Sequence, residues 1–459
     1  MSTRFDAIVV GAGQAGPGLA VRLAKSGRKT ALIERNLFGG TCVNTGCIPT
    51  KTLIASARVA HVARGAEAFG VGSGYQVSVD MRRVKARKDS VVEASRNGVE
   101  KWLRGTPGLS VIQGHARFVG PHALAVDSAT YEAGQIFLNV GGRPSVPPVD
   151  GLASVPYLTS STIMDVDFLP EHLVIIGGSY IGLEFAQMYR RFGADVTVVE
   201  MSPRIIPRED PEISVAVQTA LEQEGVKIHT GAQCIAVRRD GNGVVLRVSC
   251  EESPPAIRGS HLLVAAGRRP NTDDLDLRAA GIETDAQGYI PVDEALMTST
   301  SGVYALGDVN RRGAFTHTSY NDHEIVAANL LDGAQRKVSD RIPAFALFVD
   351  PPLGRVGMTE AEIRRRGRPA LVASMPMTRV GRARERGETT GMMKALVDAE
   401  TSQILGASIF GIEGDEVIHV LVLAMTAKLP YTAIQTAMPI HPTVAELLPT
   451  LFEGLTPLA

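Results

Sequence analysis

The chain has 459 residues, of which 44% are hydrophobic and 21% are charged, and its formal net charge is −1. This length is enough for about three domains, and the near-zero net charge argues against a nucleic-acid or anionic-membrane partner, since both need a basic excess. No segment reaches the roughly 18 apolar residues that a membrane helix needs, and the N-terminus lacks a signal-peptide pattern, so we expect a cytoplasmic protein.

The first predicted elements are an apolar strand at residues 6–10, a glycine loop with the pattern G-x-G-x-x-G at Gly11, Gly13 and Gly16, and a helix of small residues. A second strand follows and ends in Glu34. Such glycines permit a tight turn and let the backbone approach a pyrophosphate, whose charge the helix N-terminus favours, while the acid accepts hydrogen bonds from a ribose. The segment therefore predicts a dinucleotide site rather than a plain glycine turn.

Two cysteines, Cys42 and Cys47, follow this module directly. On a regular helix, residues five apart are separated by about 7.5 Å along the axis, whereas a disulfide needs Cα atoms within about 7 Å. Gly46 and Asn44 supply backbone freedom for a turn or a distortion. We therefore expect a bond that forms on a distorted helix and is easily reduced, as a working disulfide must be.

The chain has four cysteines, too few at this length for a disulfide scaffold. A structural zinc site would need a second pair of ligands with close spacing, which the sequence lacks. Inert buried thiols are the other alternative for Cys42 and Cys47. Cys234 and Cys250 stand alone in strand-like stretches, and we expect them to be inert.

The glycine-loop module occurs a second time. Gly177 and Gly182 follow another apolar strand, and the next strand leads to Glu200. The first glycine and the acid are 23 positions apart in both copies. Ser179 replaces the middle glycine, which limits close approach to a pyrophosphate and suits a ligand that comes and goes. Two such modules predict two dinucleotide sites in one chain.

The acid of the second module bears on the choice of coenzyme. Glu200 favours NADH, because a carboxylate binds a 2′-hydroxyl and repels a 2′-phosphate. Arg204 stands nearby and can accommodate a phosphate, so NADPH stays possible.

Each module is followed by a strand that ends in glycine and arginine, at residues 136–143 and 262–268, and a later strand delivers Asp308. Beyond about residue 340 the pattern changes and no glycine fingerprint occurs. This region predicts antiparallel strands followed by helices, and its apolar run at residues 417–427 indicates a buried helix. The predicted strands are 353–358, 394–397 and 404–410, and the predicted helices are 415–428 and a segment around Thr432.

The segment Gly39-Gly-Thr-Cys42-Val-Asn-Thr-Gly-Cys47-Ile-Pro-Thr-Lys51 resembles the active-site segment of the pyridine nucleotide–disulfide oxidoreductases. That family includes dihydrolipoamide dehydrogenase, glutathione reductase and mercuric reductase, and the resemblance covers nearly the whole chain in the family's motif order. It implies an α/β fold with two Rossmann-like domains, for FAD and NAD, and a C-terminal α+β dimerisation domain. The implied boundaries are 1–145 and 271–340 for the FAD domain, 146–270 for the NAD(P)H domain and 341–459 for the C-terminal domain.

The resemblance also implies roles for residues at the redox centre. Cys47 resembles the sulfur next to the flavin, and Cys42 resembles the interchange thiol that attacks the substrate. Lys51 and Glu184 match the ion pair near flavin N5, and Tyr180 matches the gate over the flavin face. No metal ligand is implied. The implied cofactor-binding residues are Gly11, Gly13, Gly16, Glu34, Gly40, Thr41, Gly141, Asp308, Gly177, Gly182, Glu200, Gly267 and Arg268.

A C-terminal pair, His441 and Glu446, matches the family's catalytic histidine and its orienting acid. Alone, two such residues five apart are more often surface residues. An imidazole can carry a proton between a thiol and a substrate near neutral pH. In the family this histidine reaches the disulfide of the other subunit, so the resemblance implies a homodimer.

Three electron acceptors fit the sequence. A small disulfide such as the lipoyl group suits His441 and Glu200. A mercuric ion suits Ser179 and residues 207–211, but the chain lacks the C-terminal cysteine pair and the N-terminal metal-binding domain of that branch. The favoured third group, flavoproteins linked to reactive-chlorine stress and copper(II) reduction, is similar at residues 315–317, 351–358 and 382–384.

Two histidines, His317 and His323, either face the acceptor site or are ordinary interface residues. A flavin-bound redox sensor with little turnover is the alternative outside enzymes. The combination of the two cysteines with Lys51, Glu184 and His441 argues against it, since a binding protein needs none of them together.

Overall fold

The structure is a computed structural model that describes residues 2–72, 76–233, 235–248 and 256–458. Cys234 and Cys250 lie outside these ranges, so the expectation that they are inert stays a prediction.

The first part of the chain builds a sheet around the first glycine loop. Apolar strands that are buried on both faces pair in parallel, and helices cover them. Within the described residues the strand order is β3-β2-β1-β6-β5-β4, with β17 beside β6. Its elements are β1 Thr3–Val10, α1 Ala15–Lys25, β2 Thr30–Glu34, α2 Gly40–Asn44, α3 Cys47–Gly65, α4 Met81–Arg104, β3 Leu109–Gln113, β4 Ala116–Gly120, β5 Ala123–Val126, β6 Ala129–Leu138, β7 Gly142–Pro144 and, later in the chain, β17 Val303–Ala305.

The middle of the chain repeats this construction around the second glycine loop. A second parallel sheet has the order β11-β10-β9-β15-β8, an antiparallel sheet β12-β13-β14 lies in the same part of the chain, and β16 pairs with β7. The elements are β8 Leu158–Thr159, β9 His172–Ile176, α5 Tyr180–Phe192, β10 Asp195–Val199, α6 Pro211–Gln223, β11 Lys227–His229, β12 Ala236–Asp240, β13 Gly243–Arg247, β14 Ala256–Gly259, β15 His261–Val264 and β16 Arg268–Pro270.

The last part of the chain forms an antiparallel sheet with the order β18-β19-β22-β21-β20-β23. The three predicted strands are present, whereas β18, β20 and β23 were not predicted. The elements are α7 Thr316–Leu331, β18 Ala344–Leu347, β19 Leu353–Gly357, α8 Glu360–Arg365, β20 Ala370–Pro376, α9 Gly381–Glu385, β21 Met392–Asp398, β22 Ile404–Phe410, α10 Gly414–Thr426, α11 Tyr431–Gln435, α12 Leu448–Glu453 and β23 Thr456–Pro457.

The prediction of a buried helix at residues 417–427 is wrong in one respect. Helix α10 buries Val417, Ile418 and Leu421 against the sheet, but Val420 is 42% exposed and Leu423 is 69% exposed. One face of the helix packs on the sheet and the opposite apolar face stays accessible in the single chain.

A hydrophobic core joins the three parts. One cluster of buried side chains contains Leu53 and Ala57 of α3, Phe185 of α5 and Phe410 of β22. Helix α3, which begins at Cys47, therefore packs on α5 and shares one core with the second and third parts of the chain. The α/β class with two glycine-loop sheets and a C-terminal α+β region is confirmed.

Candidate active site

The first glycine loop is packed too closely for a side chain at Gly11 or Gly16. Gly11 has a φ of +103°, and a Cβ there would lie 2.3 Å from the carbonyl oxygen of Asn139. A Cβ at Gly16 would lie 2.0 Å from the carbonyl oxygen of Gly11. The first turn of α1 contains no acidic residue, so its free amide groups favour a phosphate. The loop therefore fits the pyrophosphate of FAD.

Glu34 is fixed at the end of β2. One carboxylate oxygen accepts the amide of Ala12 at 2.7 Å and the other accepts the amide of Asn36 at 2.7 Å. An ionised carboxylate has about four lone-pair positions, so positions for ribose hydroxyls remain. Nearby, Gly40 has a φ of +60°, and a Cβ there would lie 2.7 Å from the Cα of Gly13. The helix that carries Thr41 and Cys42 thus begins directly against the loop.

The second loop has the same geometry. A Cβ at Gly177 would lie 2.6 Å from the carbonyl oxygen of Ala265, and one at Gly182 would lie 1.9 Å from that of Gly177. Glu200 accepts the amides of Gly178 at 2.7 Å and Ser202 at 2.8 Å. This arrangement fits a second dinucleotide.

Two further residues surround the second loop. Ser179 is exposed, and its side chain forms no capping hydrogen bond with α5. The guanidinium of Arg204 donates to the carbonyl oxygen of Pro207 at 3.2 Å.

The cysteine segment is a broken helix, as the spacing predicted. Helix α2 ends at Asn44 and α3 begins at Cys47, with Gly46 between them at φ −126° and ψ −114°. Both cysteines are thiols in the structure and their side chains hydrogen-bond to each other. That bond lowers the pKa of Cys47 to about 6 and, together with burial, raises the pKa of Cys42. The pair therefore holds one thiolate and one proton near neutral pH.

Thr316 is a site residue that sequence reasoning missed. Its hydroxyl oxygen lies 3.1 Å from the sulfur of Cys47 and helps to lower the pKa of that thiol. The two residues are 269 positions apart in the chain, and Thr316 is the first residue of α7. A threonine at the start of a helix is common, so the sequence carries no signal for this contact.

The predicted ion pair is present. The ammonium of Lys51 lies 2.9 Å and 2.8 Å from the two carboxylate oxygens of Glu184, which is 6% exposed. The amide of Phe348 donates to the same carboxylate at 3.0 Å, and the Lys51 ammonium lies 4.4 Å from the centre of the Phe348 ring. Lys51 is thereby held one turn beyond Cys47, with its charge close to the thiolate.

Tyr180, the first residue of α5, stands among aromatic rings. Its ring meets Phe345 edge-on at 5.8 Å between centroids and Phe315 at 6.4 Å. Its hydroxyl donates to Glu209 at 2.9 Å. Burial, and then the neighbouring carboxylate of Glu209, raise the pKa of Tyr180.

Asp308 lies in a short 3-10 turn after β17. Burial raises its pKa, and the guanidinium of Arg268 is 3.7 Å away. The buried carboxylate of Asp322 accepts the amide of Gly307 at 2.7 Å and so fixes the turn. Two loop glycines with positive φ complete the predicted set, Gly141 at +63° and Gly267 at +112°.

His441 and Glu446 form the predicted pair, since the imidazole Nδ1 lies 2.9 Å from the carboxylate. The His441 side chain is 81% exposed, and its neighbours Met438 and Ile440 are 96% and 79% exposed. The structure does not bring this imidazole to the cysteines of its own chain.

The two remaining candidate histidines, His317 and His323, lie in different surroundings. The Nε2 atom of His317 lies 2.6 Å from the carbonyl oxygen of Ala344. His323 is 6% exposed and packs against Gly18 of α1. It is an internal residue of the helical layer on the first sheet, so of the two alternatives for this histidine its burial argues against the acceptor site.

Comparisons with known proteins match the chain in two segments. Residues 5–322 match the family model described as pyridine nucleotide-disulphide oxidoreductase, and residues 342–452 match the dimerisation domain of that family. Among the described residues, no helix combines the length and the apolar character needed to cross a membrane.

Relatives align over nearly the full length. The probable pyridine nucleotide-disulfide oxidoreductase RclA of Escherichia coli is 37% identical over 98% of this chain and 99% of its own. The mercuric reductase of Streptomyces lividans is 35% identical, covering 97% and 95% of the two chains. A solved structure, the Cu(II) complex of the HOCl-induced flavoprotein disulfide reductase RclA of Escherichia coli, superimposes with a TM-score of 0.89 at 35% identity, covering 99% of both chains.

Proposed function

This chain belongs to the pyridine nucleotide–disulphide oxidoreductase family, and on that premise we propose that it reduces Cu(II) through the Cys42–Cys47 pair. It is an FAD-dependent enzyme that takes electrons from NAD(P)H and has a redox-active disulfide. The electron acceptor and the roles of individual residues are our proposal.

The observation that carries the proposal is the asymmetry of the two thiols. Cys47 has a pKa of about 6, because the Cys42 thiol and the Thr316 hydroxyl donate to it and Lys51 is nearby, whereas the pKa of Cys42 is raised. A thiolate at Cys47 and a protonated Cys42 are what a relay needs, with one sulfur facing the electron donor and the other facing the acceptor.

FAD fits the first glycine loop, where Gly11, Gly13, Gly16 and Glu34 would hold it, and when bound it supplies electron exchange between nicotinamide and disulfide. The remaining chemistry belongs to the cysteines. The reduced pair, a thiolate at Cys47 and a thiol at Cys42, gives up two electrons and the proton of Cys42 and closes to a disulfide, while two Cu(II) ions become two Cu(I) ions. Lys51 holds the thiolate of Cys47 by its charge.

The family's dimerisation domain matches the end of the chain, which supports a homodimer. We propose that residues 341–459 form its interface and that His441 of the partner subunit accepts the proton of Cys42. Met438, Ile440 and Leu423 are exposed in the single chain. This supports the proposal, because large exposed apolar side chains mark a surface that another subunit covers. Glu446, 2.9 Å from the imidazole Nδ1, fixes the tautomer of the imidazole.

Cu(II) is favoured as the acceptor because the RclA relative, whose solved structure is a Cu(II) complex, aligns from end to end with this chain. A small disulfide such as the lipoyl group is the second candidate. It is supported by the His441–Glu446 contact of 2.9 Å and by a dihydrolipoyl dehydrogenase of Thermus scotoductus that is 35% identical.

The first experiment is an anaerobic NADH titration of the purified holoenzyme, followed across the visible spectrum. A long-wavelength band at two electrons per flavin is expected, because the Cys47 thiolate would lie against the flavin. Bleaching of the flavin without this band would remove the cysteines from the electron path.

The acceptor is tested with Cys42→Ser, which keeps the size of the side chain but not its redox chemistry. Cu(II) reduction, measured with a Cu(I)-specific chelator, should be lost while flavin reduction by NADH continues. Lipoamide is assayed in parallel. Wild-type protein that reduces lipoamide but not Cu(II) would favour the second candidate, and a Cys42→Ser protein with the wild-type Cu(II) rate would refute the relay.

A further inference from the structure

Glu209 accepts the hydrogen bond of the Tyr180 hydroxyl, and a residue of the C-terminal sheet holds Glu209 in place. Glu209 is 2% exposed, and its Oε1 accepts the hydroxyl at 2.9 Å. Its Oε2 is buried with no hydrogen-bond partner among the described residues, and the Arg355 Nη1 atom lies 3.8 Å away. One oxygen of this carboxylate is therefore committed to Tyr180, while a cation of the C-terminal sheet balances its charge.

Arg355 lies on β19 and is 1% exposed. Its guanidinium donates to the hydroxyl of Ser408 on β22 at 2.9 Å and lies 3.9 Å from Asp210. Because moving a buried charge away from its partners is costly, Glu209 is a fixed acceptor rather than a mobile surface acid.

The cluster continues one residue further along the chain. Asp210 is 2% exposed and lies 3.0 Å from the ammonium of Lys394 on β21, which also pairs with Glu212 and Glu360. Three carboxylates converge here, but the lysine ammonium already occupies the space among them, so this cluster is an anchor and not a metal site. The loop before α6 is thus tied to the C-terminal sheet at two successive residues.

Tyr180 connects this anchor to the redox centre. It lies four residues before Glu184, the partner of Lys51, and its ring faces Phe315, which precedes the Thr316 that contacts Cys47. A ring in this position that swings to admit a nicotinamide has to leave the Glu209 carboxylate.

We propose that Glu209 is a positioning residue that latches the Tyr180 ring in its nucleotide-free position, so that NADH binding has to break the hydrogen bond between them. This inference rests on the proposed role of Tyr180 as the nicotinamide gate. Breaking a buried hydrogen bond costs free energy, so part of the binding free energy of NADH is spent on opening the latch.

The test is anaerobic stopped-flow reduction of the holoenzyme flavin at increasing NADH concentrations, with Tyr180→Phe, Glu209→Gln and the double variant. Tyr180→Phe keeps the ring and removes the hydroxyl, so the apparent Kd of NADH should fall about five- to tenfold. Glu209→Gln keeps a weaker acceptor and should lower the apparent Kd less. The double variant should match Tyr180→Phe alone, because both changes break one bond.

Tyr189→Phe is the matched control, since it removes a buried tyrosine hydroxyl nine residues further along α5 and should leave the apparent Kd unchanged. Because the lost bond also stabilises the nucleotide-free protein, Tyr180→Phe should unfold at a lower temperature; the fall in apparent Kd together with the non-additive double variant separates a latch from a purely structural role. An unchanged or raised apparent Kd in Tyr180→Phe, or effects of the two variants that add, would overturn the latch. Wild-type protein whose flavin NADH cannot reduce would instead refute the proposed function.

Discussion

The two glycine loops differ in what surrounds them rather than in how they are built. In each loop the acid accepts the amide of the residue after the first glycine and the amide two residues beyond itself, at 2.7 Å and 2.7 Å for Glu34 and at 2.7 Å and 2.8 Å for Glu200. The first loop is covered by the start of α2, where a Cβ at Gly40 would lie 2.7 Å from the Cα of Gly13. The middle position of the second loop, Ser179, is exposed.

This comparison separates two properties that the fingerprint alone does not distinguish. The shared backbone geometry fits a dinucleotide at both loops. Because α2 packs against the first loop while Ser179 of the second loop is exposed, we predict that the cofactor stays at the first loop and exchanges at the second. Cys42 lies on α2 and Cys47 begins α3, so the redox centre follows this cover directly in the chain.

The largest effect is expected from an added methyl group in each loop. Gly16→Ala places a Cβ 2.0 Å from the Gly11 carbonyl oxygen and 2.8 Å from the Asn139 amide, so the loop must shift. Overpacking of this kind costs about 1–3 kcal/mol or more, and the purified protein should contain little flavin by its visible absorption.

The matched change in the second loop is Gly182→Ala, whose Cβ would lie 1.9 Å from the Gly177 carbonyl oxygen. This protein should keep its flavin and lose reduction by NADH. If both variants lost flavin equally, the assignment of one cofactor to each loop would fail.

Glu34 and Glu200 provide the second test, in which the coenzyme preference should change about tenfold or more. Glu200→Ala removes the charge that repels a 2′-phosphate, so the ratio of kcat/KM for NADH to that for NADPH should fall about tenfold, which is about 1.4 kcal/mol. Glu34→Ala should leave this ratio unchanged and weaken flavin retention instead. An unchanged ratio in Glu200→Ala would exclude this residue from coenzyme choice.

Thr316 allows a test of the redox centre beside the first loop. Cys47 has a pKa of about 6, and the bond to Cys42 is the main cause, with Thr316 and Lys51 adding to it. Thr316→Val removes a hydroxyl that favours the thiolate, so the pKa of Cys47 should rise by about one unit. Because the thiolate is present above its pKa, the midpoint of the long-wavelength band in the reduced holoenzyme should move to higher pH. Thr318→Val, on the same turn of α7, is the control.

The sequence predicted the features that are local in the chain. The glycine loops, the two acids, the broken cysteine helix and the strands at residues 353–357 and 404–410 each depend on a few adjacent residues with a specific conformational or hydrophobic requirement. Lys51 with Glu184 and His441 with Glu446 came from the family resemblance rather than from the pattern, and the structure places each pair in contact.

The residues that were missed act across long chain distances. Thr316 reaches Cys47 over 269 positions, and Glu209 meets Arg355 because the loop before α6 lies against the C-terminal sheet. Their residue types are ordinary at the ends of helices, so only the fold gives them a partner. For His323 the sequence left two alternatives open, and only the fold shows that its ring packs against Gly18.

The smallest effect is expected at the one position where the fingerprints differ. Ser179→Gly gives the second loop the middle glycine of the first, but the position is exposed and no helix covers it. Removal of the side chain lets the backbone approach the pyrophosphate of NADH more closely, so the Kd of NADH in the oxidised enzyme should fall about two- to threefold, which is less than 1 kcal/mol. The rate of NAD⁺ release should still allow turnover. A Ser179→Gly protein that retained NAD⁺ through gel filtration would show that the middle glycine, and not the cover by α2, decides which cofactor stays bound.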